Sequence, residues 1–243
     1  MIRIVLPDSN PRLLAFFLAL EEWVASSLPP NDYFFTWIVE PTVIIGHNQD
    51  IEVEVDREYC RKNCIDIVRR RSGGGCVYAD LHNIMMSYVT PDTEVETVFA
   101  RYTSMMAQQL RKMGIDAQPS GRNDITVGER KISGNAFYAL PDRSIVHGTM
   151  LFDTDMVNML NAITPTRAKL ESHKVKSVES RITTVKSLKP EMERDVFHNL
   201  LTDGLEDSRK VLTESDIEQI KKIEQKYYNR EWLEKGSHHK KQP

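Results

Sequence analysis

Residues 69–80 read RRRSGGGCVYAD: three arginines, a serine and three adjacent glycines, inside what otherwise patterns as β-ribbon. The chain holds only eleven glycines. Each costs backbone entropy and weakens a strand, unless the chain must bend there or let another group approach closely. The dinucleotide fingerprint does not fit, because Gly73-x-Gly75 would need a third glycine where Tyr78 stands, and no strand-to-helix transition follows. A Walker-type loop does not fit either, since no Gly-Lys-Ser/Thr closes the run. Two readings are left: a bulge or tight turn, or a concavity of bare backbone N–H groups beside Arg69, Arg70 and Arg71, suited to phosphate.

The flanking pattern sets the fold class. IRIVL (2–6) reads as a strand, and 8–27 as a mostly buried helix with Ser9 or Asn10 as cap and Pro11 in its first turn. DYFFTWIVEPTVIIGHNQ gives two strands around Glu40-Pro41, a hairpin in the simplest reading. A short surface helix over 51–64 leads to the strand IDIVRR. CVYAD and NIMMSYVT make a second apparent hairpin, and 93–114 an amphipathic helix closed by Gly114. Two strands then meet around Val127-Gly128-Glu129, SIVHGTMLFDT adds another, and from 189 the chain turns helical and polar. Hairpins mixed with helices, without a βαβ rhythm, predict an α+β fold with largely antiparallel sheet. At 243 residues one main domain is expected.

A formal charge of −3 argues against a general nucleic-acid or membrane-surface binder, which needs a broad excess of Lys and Arg. Cys60, Cys64 and Cys76 do not make a disulfide framework and suit a reducing compartment, so a cytoplasmic address is expected. No secretory-type leader and no apolar run of about 18 residues is seen.

A second constellation, GRNDITVGERKISGNAFY (121–138), places Asn123 and Asp124 at a strand start and Lys131, flanked by Ser133 and Gly134, in the next. An aspartate can hold Mg²⁺ through an oxygen, and a lysine can meet carboxylate or phosphate. Taken singly, Asp124 also reads as a turn former and Lys131 as a solvated strand residue.

RRRSGGGCVYADLHN, GRNDITVGERKISGNAFY, HGTMLFDTDM and KVKSVESRITTV, in that order and spacing, resemble the lipoate–protein ligase A family over about residues 1–190. The resemblance implies a catalytic domain of the α+β fold shared with biotin ligases and class II aminoacyl-tRNA synthetases. It further implies ATP-dependent activation of lipoate to lipoyl-AMP with Mg²⁺. Transfer to a lysine of a lipoyl domain would follow, on a 2-oxoacid dehydrogenase complex or the glycine cleavage H protein. Matched residue by residue, Arg70 is the arginine on the ATP phosphates. Gly75, Cys76, Val77 and Tyr78 form the strand against nucleotide and acyl chain, with Gly74 beside the lipoate. Lys131 contacts the acyl carbonyl and the α-phosphate, and Asn123 and Asp124 fall at the nucleotide and Mg²⁺ positions. Asn83 ends the glycine ribbon, His147-Gly148 line the pocket, Lys174 opens the loop over the adenylate, and Glu21 and Glu22 border the acyl pocket. Trp37, Val43 and Ile45 are candidates for the wall of the acyl slot, although core packing is the simpler role for each.

Ala79-Asp80 and His82-Asn83 stand where the family shows His-Asp and Gly-Asn, which bears on substrate choice more than on reaction class. The expected organisation is a catalytic core over 1–190, a helical extension over 191–235 and a mobile tail over 236–243, with no large accessory domain. That shortness admits a separate accessory protein, or use of a preformed activated donor. Three rivals accompany the ligase reading: a lipoyl or octanoyl transferase, a non-catalytic lipoate- or adenylate-binding protein, and a biotin ligase, whose Gly-Arg-Gly-Arg-rich loop the sequence lacks. Cys76 is the one cysteine near the site for a thioester route, and no histidine at a defined spacing activates it.

Overall fold

In the computed structural model the residues described are 1–121, 123–163 and 181–235. An eight-stranded sheet forms the centre. It takes β1 (Ile2–Val5), β2 (Tyr33–Trp37), β6 (Ile84–Thr90), β7 (Ala117–Pro119), β8 (Asp124–Val127), β9 (Arg130–Leu140), β10 (Arg143–Met150) and β11 (Ser208–Val211) in the order β11-β1-β2-β6-β10-β9-β8-β7. A second sheet of three short strands runs β4 (Asp66–Arg69), β3 (Thr42–Ile45), β5 (Val77–Ala79). The α+β class with mainly antiparallel pairing holds, with parallel pairs at β1/β11, β1/β2 and β3/β4.

The large sheet is covered on both faces, which is why its inner strands read as continuous apolar runs rather than clean alternations. Tyr33, Phe35, Trp37, Met85, Val89 and Ile145 pack toward α1 (Leu14–Ser27) and the helix Glu214–Glu224. Phe34, Ile84, Met86, Tyr88 and Val146 pack the other way, against α4 (Val95–Lys112) and the helix Arg194–Asp203. A third cluster, with Val43, Ile45, Val55, Cys60 and Tyr78, lies under the small sheet and the helices α2 (Ile51–Glu54) and α3 (Arg57–Lys62). Val43 and Ile45 are therefore core of the small sheet. No helix among the described residues is long and apolar enough to cross a membrane.

Both expected hairpins around the glycine run are overturned. β2 pairs with β6 and β1, whereas β3 pairs with β4 and β5, so Glu40-Pro41 carries the chain from one sheet to the other. β5 and β6 also part company. Asp80 accepts from the His82 N–H at 2.9 Å and the Asp155 N–H at 2.9 Å, tying the turn to the segment before α5 (Met156–Ala162). The turn chemistry is that of a hairpin, but the partner strands lie elsewhere.

Three smaller expectations are also corrected. The N-terminal helix begins at Leu14, with Leu13 at its cap position and no side-chain cap. Asp8 instead accepts from the Asn10 N–H at 2.8 Å and pairs with Arg12 at 2.9 Å, closing DSNPR into a turn of its own. β1, α1 and β2 make a parallel crossover, a βαβ unit that the pattern did not suggest. The C-terminal stretch supplies β11 as an edge strand paired with β1. The β8–β9 hairpin around Gly128 and the helix ended at Gly114 match the sequence reading, and both glycines carry positive φ, 58° and 75°.

Candidate active site

The small sheet lies beside the middle of the large one, and the glycine run crosses the seam. Gly74 takes φ 91°, a region that favours glycine. Gly46 lies so close that a Cβ there would sit 2.2 Å from the Gly74 carbonyl oxygen. At Gly73 and Gly75, by contrast, a Cβ would meet nothing within 4 Å. These two leave bare backbone facing open space, as the anion-concavity reading requires. Gly46→Ala is expected to displace the loop, at roughly 1–3 kcal/mol of overpacking. Gly73→Ala should unfold like the wild type. Thermal unfolding of the two variants tests this, and equal midpoints would contradict the close approach at Gly46.

The three arginines divide sharply. Arg69 is spent on structure: it donates to the carbonyls of Gly46 at 2.9 Å, Gln49 at 2.7 Å and Leu233 at 2.9 Å, while Trp232 Nε1 donates to its carbonyl at 3.0 Å. Arg71 pairs with Glu22 at 3.0 Å and lies over the Trp232 ring, 5.6 Å from its centroid. Glu22 also accepts from the Tyr227 hydroxyl at 2.5 Å, so it braces the C-terminal segment. Only Arg70 reaches the cavity. It is 3% exposed and donates to the carbonyls of Ile44 at 3.0 Å, Gly73 at 2.8 Å and Gly75 at 2.7 Å, and to Ser72 Oγ at 2.9 Å. Burial pushes its pKa down to about 10, so the guanidinium stays charged at neutral pH. The simple picture of Arg70 as an open phosphate clamp is corrected: most of its donors fix the loop from below.

Behind Ser72 runs a buried polar chain. His147 Nε2 is 2.6 Å from Ser72 Oγ, and Nδ1 is 2.9 Å from Glu21 Oε2. Glu21 Oε1 accepts from Ser87 Oγ at 2.5 Å, and Ser87 accepts from Trp37 Nε1 at 3.0 Å. The Glu21 carboxylate fixes the directions. It only accepts, so His147 donates from Nδ1; with that tautomer Nε2 accepts from the Ser72 hydroxyl, which in turn receives the Arg70 Nε–H. Every member is satisfied, and the chain joins the glycine loop to Trp37.

On the facing strands, Lys131 Nζ stands 2.9 Å from Asp124 Oδ1. A register shift between Ile125 and Thr126 in the β8–β9 ladder sets Lys131 opposite Thr126. Gly134 leaves the lysine its room, since a Cβ there would lie 2.4 Å from both Cε and Nζ. Asn123 and Asn135 exchange amide bonds, Nδ2 of each donating to the other's carbonyl at 2.6 and 2.7 Å. Gly148 makes space for the Asn135 amide, 1.8 Å from an added Cβ. The chain returns across Lys131 at Arg181 and Thr183, with backbone bonds of 2.8 Å on either side.

Two cavities meet here. A narrow one of about 130 Å³ is walled by Leu18, Trp37, Ile44, Val77 and Met85, with Arg70, Gly74, Gly75, Cys76, Asn123, Lys131, His147 and Gly148 at its polar side. A wider cleft of about 800 Å³ opens on the α4 side. Gly74, Asn123, Asn135 and Ala136 border both. Of the expected site residues, Asp124 lines neither cavity and reaches the slot only through its pair with Lys131, and Tyr78 and Asn83 lie outside. Tyr78 is 2% exposed in the third core cluster, and fully buried Asn83 accepts from the Thr154 hydroxyl. Lys174 and the loop it opens, and the tail 236–243, fall outside the described residues. Ser72, Ser87 and Asn135 were missed. Ser72 and Asn135 lie inside the quoted motifs, but their spacing carries no sign of the partners that the fold supplies.

Such a site can hold an acid in an apolar slot, set its carboxylate beside a lysine ammonium, and lay an anion along bare backbone. Among the described residues no group of three or more His, Cys, Asp or Glu could hold a metal. Residues 14–206 match the family described as the lipoyl protein ligase A/B catalytic domain. Lipoate-protein ligase LplJ of Bacillus subtilis is 36% identical over 226 residues, 88% of this chain and 68% of that protein. Lipoate–protein ligase 1 of Staphylococcus aureus is 36% identical over 222 residues, 88% and 67% of the two lengths. The fold superposes at TM-score 0.85 and 28% identity on a chain of a bi-partite archaeal lipoate protein ligase from Thermoplasma acidophilum, covering 96% of this chain and 95% of that one. It also superposes, at TM-score 0.81 and 26% identity, on a lipoate-protein ligase A bound with ATP, covering 96% and 98%. Motif order, site geometry and these likenesses agree: the chain belongs to the lipoyl protein ligase A/B catalytic domain family.

Proposed function

We propose that this chain joins lipoate to AMP at the expense of ATP, releasing pyrophosphate, and then passes the lipoyl group to a lysine of a lipoyl domain. The observation that carries this is Lys131, placed with Asp124 at the mouth of a narrow apolar slot beside bare glycine backbone. The acyl chain lies along Leu18, Trp37, Val77 and Met85, and its carboxylate meets Lys131. The phosphates rest on the open backbone at Gly75, with Arg70 supplying charge from beneath. The carboxylate oxygen attacks the α-phosphorus, the bond to the bridging oxygen breaks, and pyrophosphate leaves with the electron pair. No protein nucleophile is needed, only orientation and charge stabilisation.

Asp124 suits a Mg²⁺ ion held chiefly by phosphate oxygens and water. Lys131 takes one acceptor site, at Oδ1, and a carboxylate offers about four, so acceptor capacity is left for an ion. When bound, the ion would neutralise charge on the phosphates. The acceptor proteins are lipoyl domains of 2-oxoacid dehydrogenase complexes or the glycine cleavage H protein. The chain spans about two thirds of the two bacterial relatives' lengths. Intact-mass measurement on an apo lipoyl domain tests the reading. A lipoyl gain with ATP, Mg²⁺ and lipoate supports a self-sufficient ligase, and a gain only with preformed lipoyl-AMP supports a transferase. No gain from either refutes both.

A thioester route through Cys76 is disfavoured on this geometry. Burial pushes the Cys76 thiol up to about 12, so almost none is thiolate at neutral pH. Alkylation is expected to reach the exposed Cys64 first, and Cys76→Ala should retain at least about a third of the transfer rate, since the thiol only packs. Loss of transfer in that variant would revive the thioester.

A further inference from the structure

Resting on that reading, we propose that the wide cleft on the α4 side is the entry route of the acceptor lysine, and that its lip binds the lysine-bearing turn of the partner domain. The narrow slot that would hold the acyl group at Lys131 shares Gly74, Asn123 and Asn135 with the wide cleft. A second reactant needs a second approach to the acyl carbonyl, and the cleft ends on those shared residues. Its chemistry suits a lysine. Phe99, Ala100, Phe137 and Ala136 offer apolar walls for the methylene stem, and Glu96 is the one charged side chain among the described lining residues. The Glu96 carboxylate at one end and the apolar walls beyond it match an ammonium on a methylene stem. The lip is the exposed first turn of α4, where Val95 is 45% exposed beside exposed Glu94 and Glu96.

In the transfer step the ammonium loses one proton to solvent, and the free amine attacks the carbonyl carbon. The C–N bond forms, the carbonyl C–O bond to phosphate breaks, AMP leaves with the electron pair, and the nitrogen sheds its second proton to solvent.

Ala100→Trp fills the cleft from an exposed helix position, and Glu96→Arg reverses the lip charge without touching the core. Each variant is assayed twice: for lipoate-dependent formation of lipoyl-AMP without acceptor, and for transfer from preformed lipoyl-AMP to an apo lipoyl domain. The expected result is adenylate formation within twofold of wild type, transfer lowered at least tenfold in Ala100→Trp, and KM for the domain raised several-fold in Glu96→Arg. A parallel fall in both steps would place nucleotide or acid in the cleft and overturn the proposal, as would unchanged transfer in both variants. A wild-type chain inactive in both assays would overturn the assigned function itself, and this route with it.

Discussion

Lys131→Ala is expected to lower lipoate-dependent pyrophosphate exchange into ATP by about 10²–10³-fold, the usual loss when one positioned charge-stabilising group is removed. Stability should barely change. The Lys131–Asp124 pair is 39% and 31% exposed, and such pairs contribute only about 0–1 kcal/mol. Gly134→Ala supplies the companion test, because its Cβ would occupy the place of Lys131 Cε and Nζ. The lysine is kept but pushed aside, so exchange should fall while the fold persists. Wild-type exchange in Lys131→Ala would end the assignment, and wild-type exchange in Gly134→Ala would show that its position is not critical.

The second large effect concerns Glu21, which the activation chemistry never touches. Glu21→Ala removes the acceptor of two buried donors, His147 Nδ1–H and Ser87 Oγ–H. At about 1–3 kcal/mol for each orphaned donor, the loss is about 2–6 kcal/mol. That is a large part of a typical stability of about 5–15 kcal/mol. Urea unfolding measures it, and a change under about 0.5 kcal/mol would mean the chain is not bonded as described. Trp37 and Ser72 sit at the two ends of that chain, so the milder Ser87→Ala should raise the KM for lipoate through Trp37 while leaving the loop in place.

The reading of 121–138 carried over because its content is local. Asp124, Lys131 and Gly134 fall within one hairpin, so turn and strand chemistry alone brings them together. The RRRSGGG run was legible only in part. Three consecutive glycines announce close approach, and the motif match singles out Arg70, but the residues themselves hold no physical reason why Arg70 and not its neighbours. Their division depends on Trp232, Leu233 and Glu22, which lie far away in sequence.

Hairpin against crossover was equally invisible. The turns at Glu40-Pro41 and Asp80–Asn83 have hairpin chemistry, but strand pairing is decided by which apolar face each strand can bury. Val43 and Ile45 found theirs in the small sheet, Phe34 and Tyr88 in the large one. The sequence by itself determined the α+β class, the family and the lysine–aspartate hairpin, through local periodicity and ordered motifs. The tertiary structure alone decided that one arginine of three reaches the cavity, that Glu21 and His147 brace it, and that two cavities converge on Asn123 and Asn135. Those contacts join residues up to more than a hundred positions apart, and only the packed chain brings such partners within hydrogen-bond reach.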